Sequence, residues 1–357
     1  MVRLMLAAWA CAALAFGGSG CEALAARDRR DIPALANAGL DFSRKQRFKE
    51  AADCYRKALP IEPKIKELQL NLGLAEFKLG NFQAAVGPLS AAAAMDAESA
   101  QVHTLLGMSY YGAGQYAKAT PELDRALAAD PRNTQLHYVV AQSCLWSGKY
   151  DRALKEFEWL LREQPNSAAT HMLMGEALDG LNREEDAITE FQAAAAAAPV
   201  TPEVHFGLGY LLWKAKRYND AEGEFRLELA QDASHAQASA YLGDVLLHRG
   251  DAAAAEPLLE KARRLKPEIR IAHLDLAIIH AERKQYDAAA NELREAVQLD
   301  ADRADAHYRL AQVYQKLGKP AEAKAELAIV KQSHEDRLED LLHKVSGQKP
   351  GLDLPAR

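Results

Sequence analysis

A single 34-residue period runs through most of this 357-residue chain, and it restricts the possible folds more than any other feature. The unit is clearest in residues 100–133, where an apolar stretch is broken at Gly114 and a second one ends before Pro131. In both stretches apolar residues recur three and four positions apart, which predicts two amphipathic helices joined by a tight turn. A period of this length is typical of helical hairpins that stack side by side into a solenoid.

Three positions of the unit keep their residue type in nine consecutive repeats without an insertion. Position 8 is Gly or Ala, position 20 is always Ala, and position 24 is always a large apolar or aromatic residue. Small residues at 8 and 20 predict a close approach of the paired helices, and the residue at 24 is predicted to fill the space between one hairpin and the next. The repeats are 32–65, 66–99, 100–133, 134–167, 168–201, 202–235, 236–269, 270–303 and 304–337.

With an aromatic residue near position 11, Gly at 15, an aromatic at 17 and Pro at 32 in many units, the pattern resembles the tetratricopeptide repeat (TPR) family. The resemblance implies an all-α, right-handed superhelical solenoid of antiparallel helix pairs, whose concave face binds a protein or peptide. Single repeats depart from the pattern, for example with Glu228 in place of Ala at position 27. The period alone predicts one elongated domain.

The N-terminal residues 1–25 are predicted to be a signal peptide. Arg3 precedes an apolar run from Leu4 to Phe16 that is too short to span a bilayer, and Ala23 to Ala25 offers a small-residue cleavage site. An alternative is lipidation at Cys21, because the preceding Ser-Gly resembles the end of a bacterial lipoprotein signal. Both readings predict export to the periplasm, the outer envelope or the medium, with no transmembrane helix in the mature chain. The competing interpretation is a frayed N-terminal helix of a cytosolic protein.

The segments that flank the repeats differ from them in composition. Residues 26–31 form a charged linker. After repeat nine, apolar residues at i, i+3, i+4 and i+7 predict a capping helix over 338–346 that covers the end of the last repeat. They are Leu338, Leu341, Leu342 and Val345. Residues 347–357, with two prolines and two glycines, are predicted to be a disordered tail.

Composition and motifs narrow the classes of function. A net charge of −6 with both signs interspersed argues against a nucleic-acid surface, which would need a basic stripe. The sequence has no CxxC pair, no Gly-rich phosphate loop after a strand and no Ser-His-Asp set that a closed pocket could bring together. We therefore expect no enzymatic activity, no cofactor and no metal.

A column of histidines occupies position 4 in six repeats. They are His103, His137, His171, His205, His273 and His307. A metal ladder or a pH switch is one interpretation. Equivalent helices of neighbouring repeats lie about 8–10 Å apart, whereas zinc needs ligand nitrogens at about 2.0–2.1 Å. The spacing therefore favours packing of a flat ring against the partner helix.

A second column predicts a binding face. Positions 5, 9 and 12 of each first helix share one face, which in the TPR family lines the concave groove together with positions 2, 6 and 13. Here it carries aromatic and methionine side chains that helix packing does not require. They are Phe77, Met108, Tyr111, Tyr138, Trp146, Met172, Phe206, Tyr210 and Trp213. Such side chains bury much area at low entropic cost, as protein-binding anchors do.

From repeat five onward the same face becomes acidic, so an apolar anchor with a basic flank would suit it. We therefore expect a protein-protein interaction scaffold that holds a protein or peptide in an envelope or extracellular assembly. Two alternatives stay open: a self-associating structural lipoprotein, and a glycan or small-ligand binder that uses the aromatic groove.

Overall fold

The computed structural model describes the backbone of residues 29–346 and the side chains of residues 29–335. This part of the chain is all-α, with a short 3-10 helix at Arg29–Asp31 followed by eighteen α-helices and no strand. The helices of repeats one to four are α1 Ile32–Arg44, α2 Phe48–Ala58, α3 Lys66–Lys78, α4 Phe82–Met95, α5 Ala100–Gly112, α6 Tyr116–Ala129, α7 Thr134–Trp146 and α8 Tyr150–Glu163. Those of repeats five to nine are α9 Ala168–Gly180, α10 Glu184–Ala197, α11 Val204–Lys214, α12 Tyr218–Gln231, α13 Ala236–His248, α14 Ala252–Leu265, α15 Arg270–Glu282, α16 Tyr286–Leu299, α17 Ala304–Lys316 and α18 Pro320–Ser346.

The helices group into two compact units, and the boundary in the chain lies between Pro165 and Asn166. Unit 1 contains α1 to α8, and unit 2 contains α9 to α18. Within each unit, helices that follow one another in the chain pack against each other as hairpins. The predicted helix pairs are therefore present in all nine repeats, whereas the division into two units is not visible in the uninterrupted period.

Short-range chemistry places the ends of the helices. The side chains of Ser99, Asn133 and Ser167 accept a hydrogen bond from a backbone N–H of the first turn of α5, α7 and α9. The turn inside each hairpin needs one residue with positive φ, which five repeats supply with glycine, as at Gly114 (φ 72°). Lys284 adopts φ 62° at the same place without the freedom of glycine. These turns follow from the sequence column at position 15.

The tightest packing joins positions 8 and 24 of the same hairpin. A Cβ on Gly107 would come within 2.6 Å of Cγ of Leu123, and a Cβ on Gly175 would come equally close to Phe191. The large residue at position 24 therefore lies over the small residue of its own first helix, rather than only between neighbouring hairpins as predicted. The alanines at position 20 are 0–2% exposed in all nine repeats.

Repeat nine ends differently from the prediction. Helix α18 runs without a break from Pro320 to Ser346, so residues 338–346 continue the second helix of the repeat instead of forming a separate capping helix. Leu327, at position 24, is 37% exposed, whereas the equivalent residues of the other repeats are at most 5% exposed. The predicted contacts of residues 338–346 involve side chains outside the range 29–335 that the structure describes.

The predicted signal peptide over 1–25, Cys21, the linker up to residue 28 and the tail 347–357 also lie outside the described residues. Among the helices that the structure describes, none combines the length and the apolar character that crossing a membrane requires.

The histidines of position 4 join the two helices of their hairpins through a hydrogen bond to a glutamate carboxylate. In all six, Nδ1 lies 2.5–2.7 Å from a carboxylate oxygen of the glutamate 19 residues later. In four of them Nε2 also lies 2.8–3.0 Å from a backbone carbonyl of the turn that precedes the repeat. The glutamates are Glu122, Glu156, Glu190, Glu224, Glu292 and Glu326.

The pair is present or absent as a unit. In the three repeats without the histidine, position 23 holds Cys54, Pro88 or Leu258 in place of glutamate. The correlation between positions 4 and 23 is visible in the sequence, but the histidines of position 4 alone do not reveal it. The histidines were expected to pack against the partner helix, and the structure shows why: a carboxylate of that helix binds each ring.

In repeat eight the pair changes the titration of both groups. The hydrogen bond to Glu292 raises the pKa of His273 against the opposing effect of burial. Burial opposes ionisation of Glu292, but the hydrogen bond from His273 and the charge of Arg263 together lower its pKa. The stabilisation by His273 is thus fully present below the ordinary histidine pKa of 6.5 and is lost as the pH rises through the raised value. The stabilisation by Glu292 is lost as the pH falls through its lowered value.

The packing at position 8 predicts opposite effects for one substitution at two glycines. Gly107→Ala should lower the free energy of unfolding by about 1–3 kcal/mol, because the new methyl group overlaps Leu123. Gly87→Ala adds a methyl group with no atom within 4 Å in a helix interior, and should leave stability unchanged or raise it by up to about 1 kcal/mol. Urea unfolding followed by circular dichroism measures both, and equal losses would contradict the contact.

The pair in repeat eight predicts a pH-dependent loss of stability. His273→Gln should lower the free energy of unfolding by about 1–3 kcal/mol at pH 6, where the wild-type ring carries its charge. The loss should become smaller as the pH rises through the raised pKa of His273 and the wild-type ring loses its charge. His280→Gln on the same helix is the control, since its Nδ1 lies 2.8 Å from the neutral amide oxygen of Gln285. A loss that does not change with pH would rule out the charged pair.

Candidate functional site

The nine residues predicted to line the groove fall into two groups, one in each unit. Unit 1 holds Phe77, Met108, Tyr111, Tyr138 and Trp146, and unit 2 holds Met172, Phe206, Tyr210 and Trp213. Tyr111 is buried and Trp146 is exposed, while the other seven are half-buried. Phe77 and Met172 pack against buried core clusters of their own units, so they serve packing.

In unit 1 the aromatic residues form a stack at repeats three and four. The ring of Trp146 lies 5.7 Å from that of Tyr111 and 4.9 Å from that of Tyr116. The Tyr111 hydroxyl donates to Oε1 of Gln142 at 2.6 Å, and burial raises its pKa. Tyr111 therefore ties two repeats together, which corrects the expectation that packing does not need it. Trp146, 36% exposed, is the ring of this stack that remains open to a partner.

In unit 2 four rings converge to form what we call the aromatic box, made of Phe206, Tyr210, Trp213 and Tyr241. Tyr241 lies 4.9 Å from Trp213, 5.4 Å from Tyr210 and 6.0 Å from Phe206, measured between ring centroids. Tyr210 stacks on Trp213 at 5.9 Å. Tyr241 comes from position 6 of repeat seven and was not among the predicted residues, although position 6 also belongs to the groove face. Burial raises its pKa to about 12.

Two glutamates lie near Phe206 of the aromatic box, one bonded to its backbone and one bonded to His235 beside it. Glu228 is buried, and its carboxylate accepts a hydrogen bond from the backbone N–H of Phe206 at 3.0 Å, near the start of α11. A carboxylate at the first turn of a helix is favourable, so this departure from Ala at position 27 has a local role. Glu203 adopts φ 68° and its carboxylate lies 3.1 Å from Nε2 of His235, whose ring packs 4.8 Å from Phe206.

Asp244 contacts Trp213 of the aromatic box, and Asp275 lies beside Asp244. We call these two residues the acid pair. Asp244 is 4% exposed, and its Oδ2 accepts from the indole N–H of Trp213 at 2.5 Å. Asp275 is 3% exposed and lies within hydrogen-bonding distance of Asp244. Burial and the charge of Asp244 raise the pKa of Asp275 well above its ordinary value. Oδ2 of Asp275 has no hydrogen-bond partner among the described residues.

A cleft of about 530 Å³ is lined by residues of α15, α16 and α17, and it includes Ile278, one helical turn after Asp275 on α15. Its floor is apolar, with Ile278 and Val313, and its rim carries Arg309, Lys316 and Glu282. Among the described side chains, neither Arg309 nor Lys316 forms an ion pair at 4.0 Å or less. The charge of Arg309 acts on Asp275 without contacting it.

Several of the acidic residues predicted to face the groove are already paired within the chain. Asp179 accepts from Nζ of Lys214 at 2.6 Å, and Asp305 pairs with Arg270. Among the described side chains, the carboxyl groups left for a partner are those of the acid pair, Glu176 and Glu282. Within the part of the chain that the structure describes, no three His, Cys, Asp or Glu side chains are placed to hold a metal ion.

Comparison with known proteins agrees with this architecture. Models described as "Tetratricopeptide repeat" match residues 37–100, 110–177, 147–209, 206–269 and 305–336, and one described as "TPR repeat" matches 277–318. No curated protein matches the sequence.

Three solved structures show the range of similarity. A chain of the APC/C hetero-tetramer Cut9-Hcn1 is 16% identical with a TM-score of 0.54, over 86% of this chain and 74% of that chain. PilF of Pseudomonas aeruginosa is 20% identical with a TM-score of 0.47, over 61% and 97%. YrrB, a TPR protein with an unusual peptide-binding site, is 20% identical with a TM-score of 0.40, over 53% and 97%.

Of these three structures, the Cut9-Hcn1 chain supports the fold over most of the present chain. The family models together cover most of the nine repeats, and the helix pairs have the packing that their pattern predicts. The chain belongs to the tetratricopeptide repeat family of protein-interaction scaffolds.

Proposed function

We propose that this protein binds a segment of another protein through the concave-face positions of repeats six to nine, with the aromatic box as its anchor. The observation that carries the proposal is the convergence of Phe206, Tyr210, Trp213 and Tyr241 as half-buried rings on first-helix positions that line the groove in this family. Repeat eight packs its hairpin with aliphatic side chains at two of these positions, Leu274 and Ile278. The rings of the box therefore exceed what stacking of hairpins requires.

Half-buried aromatic rings favour a protein ligand for an energetic reason. Each ring retains a face for the partner while its other contacts fix its orientation, so little side-chain entropy is lost on binding. In unit 1, Trp146 offers a second anchor of the same kind, supported from below by Tyr111 and Tyr116.

The proposed location is outside the cytoplasm, in the periplasm, at the outer envelope or in the medium. It rests on the sequence of residues 1–25 and on Cys21 as the alternative lipid attachment site. An envelope assembly would then be the setting of the interaction.

A second candidate function, self-association, has one specific observation in its favour. At repeat nine, Leu327 and Ile329 on α18 are 37% and 44% exposed, and Tyr308 on α17 is 50% exposed. Position 24 is covered in every other repeat, so a second copy packed on this end would restore the usual burial. Sedimentation over a range of concentrations should then show oligomers that Leu327→Glu disrupts.

The binding function predicts the result of a selection with random peptides. A displayed library of 12-residue peptides should yield retained sequences on the full chain and none on the Tyr210→Ala/Trp213→Ala variant. Far-UV circular dichroism should show the same helicity for both, because the two rings lie at the surface of the hairpins. Trp159→Ala, on the second helix of repeat four, is the control and should retain the same peptides as the wild type. Equal retention by the double variant would contradict the assignment.

A further inference from the structure

The acid pair brings two buried carboxyl groups together beside Trp213 of the aromatic box. Trp213 contacts it from repeat six, Asp244 belongs to repeat seven and Asp275 to repeat eight. Burying two carboxyl groups side by side is costly unless donors satisfy them. Here one neutral donor, the Trp213 indole, holds Asp244, and Oδ2 of Asp275 has no partner among the described residues.

Burial and the charge of Asp244 raise the pKa of Asp275 well above its ordinary value and so favour the form of Asp275 that keeps its proton. A cation placed between them would favour loss of that proton, because both carboxylates would then be compensated.

The groups around the acid pair come from α11, α13 and α17. Tyr210 and Trp213 lie on α11, while Tyr241 and His248 share α13 with Asp244. Nδ1 of His248 is 3.3 Å from Oδ2 of Asp244, and the His248 side chain is about half exposed. From α17, Arg309 acts on Asp275 at a distance beyond an ion pair. Among these groups there is thus no cation that satisfies Asp275.

We propose that the acid pair receives the side chain of an arginine from the bound segment, with the guanidinium against the rings of Tyr210 and Trp213 and its N–H groups on Asp244 and Asp275. The proposal rests on the binding function proposed above and specifies the chemistry of the partner. Charge complementarity selects this occupant, since the site offers two buried carboxyl groups, one of them with an acceptor that has no partner among the described residues, beside the aromatic box.

Arginine suits this geometry better than lysine. Its planar fork donates to two acceptors at once and stacks on aromatic rings, whereas an ammonium group is a compact and strongly hydrated charge. The guanidinium replaces the indole N–H at Asp244, so Trp213 keeps its stacking role and loses its hydrogen bond. An apolar residue beside the arginine then reaches the cleft at Ile278.

The composition of the peptides selected on the full chain is the first test. Retained peptides should share an arginine next to an apolar residue. Retained peptides without a basic residue would overturn the arginine site while leaving the binding function intact. A selection that retains no peptide on the wild type would overturn both.

The second test uses one retained peptide and its copy with citrulline, which keeps the shape of arginine without the charge. Titration calorimetry should show at least a tenfold weaker affinity for the citrulline peptide. Asp275→Asn, which mimics the protonated form and should fold normally, should weaken the arginine peptide to a similar extent. Asp287→Asn makes the same substitution at an exposed residue of the same repeat, on α16, and should have no effect. Equal binding of both peptides to the wild type would overturn the proposal.

The third test separates a bound arginine from general weakening of the site. Trp213→Phe keeps a ring and removes the competing indole donor, so it should bind the arginine peptide as tightly as the wild type or more tightly. Binding at pH 6 should release up to about one proton from the wild type and none from Asp275→Asn, seen as buffer-dependent heats. Identical proton release from both proteins, or lost affinity in Trp213→Phe, would contradict the proposed contacts.

Discussion

The contact between a small residue at position 8 and a large one at position 24 is the constraint on which the rest of the structure depends. Gly107 under Leu123 and Gly175 under Phe191 bring the two helices of a hairpin close enough to bury the alanines of position 20. Where Ala replaces Gly, as at Ala141 over Phe157, the hairpin still closes with the extra methyl group. Because this contact recurs every 34 residues, the first helices present equivalent positions at regular intervals.

Histidine–glutamate pairs add polar contacts to this apolar packing in six of the nine repeats. Six hairpins carry a histidine and a glutamate together, and three carry neither. The pair joins first helix to second helix, and in four cases also holds the preceding turn through a carbonyl. A buried carboxylate left without its hydrogen-bond partner is costly, which explains why the two residues occur together.

Much of the fold could be predicted from the sequence because it is local. Hydrophobic period, small residues and turn residues act within one hairpin, and the positive φ at Gly114 and Lys284 follows from the turn alone. The division between Pro165 and Asn166 and the continuous helix α18 depend on contacts and helix propensity that the repeat pattern does not encode.

The candidate site was predicted less completely, for a physical reason. Residue type at positions 5, 9 and 12 identified Phe206, Tyr210 and Trp213, but not which rings serve packing, as Tyr111 does. Tyr241 and Asp244 lie on α13, and they meet Trp213 of α11 and Asp275 of α15 only when three repeats are stacked. The paired state of Asp179 and Asp305 likewise required the structure.

The central claim, that a protein partner occupies the groove face of unit 2, is tested most directly by photo-crosslinking in cells. A photoreactive phenylalanine would replace Tyr308, 50% exposed on a first helix, or Leu227, 48% exposed on the second helix α12. The account predicts that position 308 crosslinks to a defined protein other than a second copy of this chain and that position 227 does not, although the two are about equally accessible. Crosslinks of equal yield from both positions, or from position 227 alone, would contradict it.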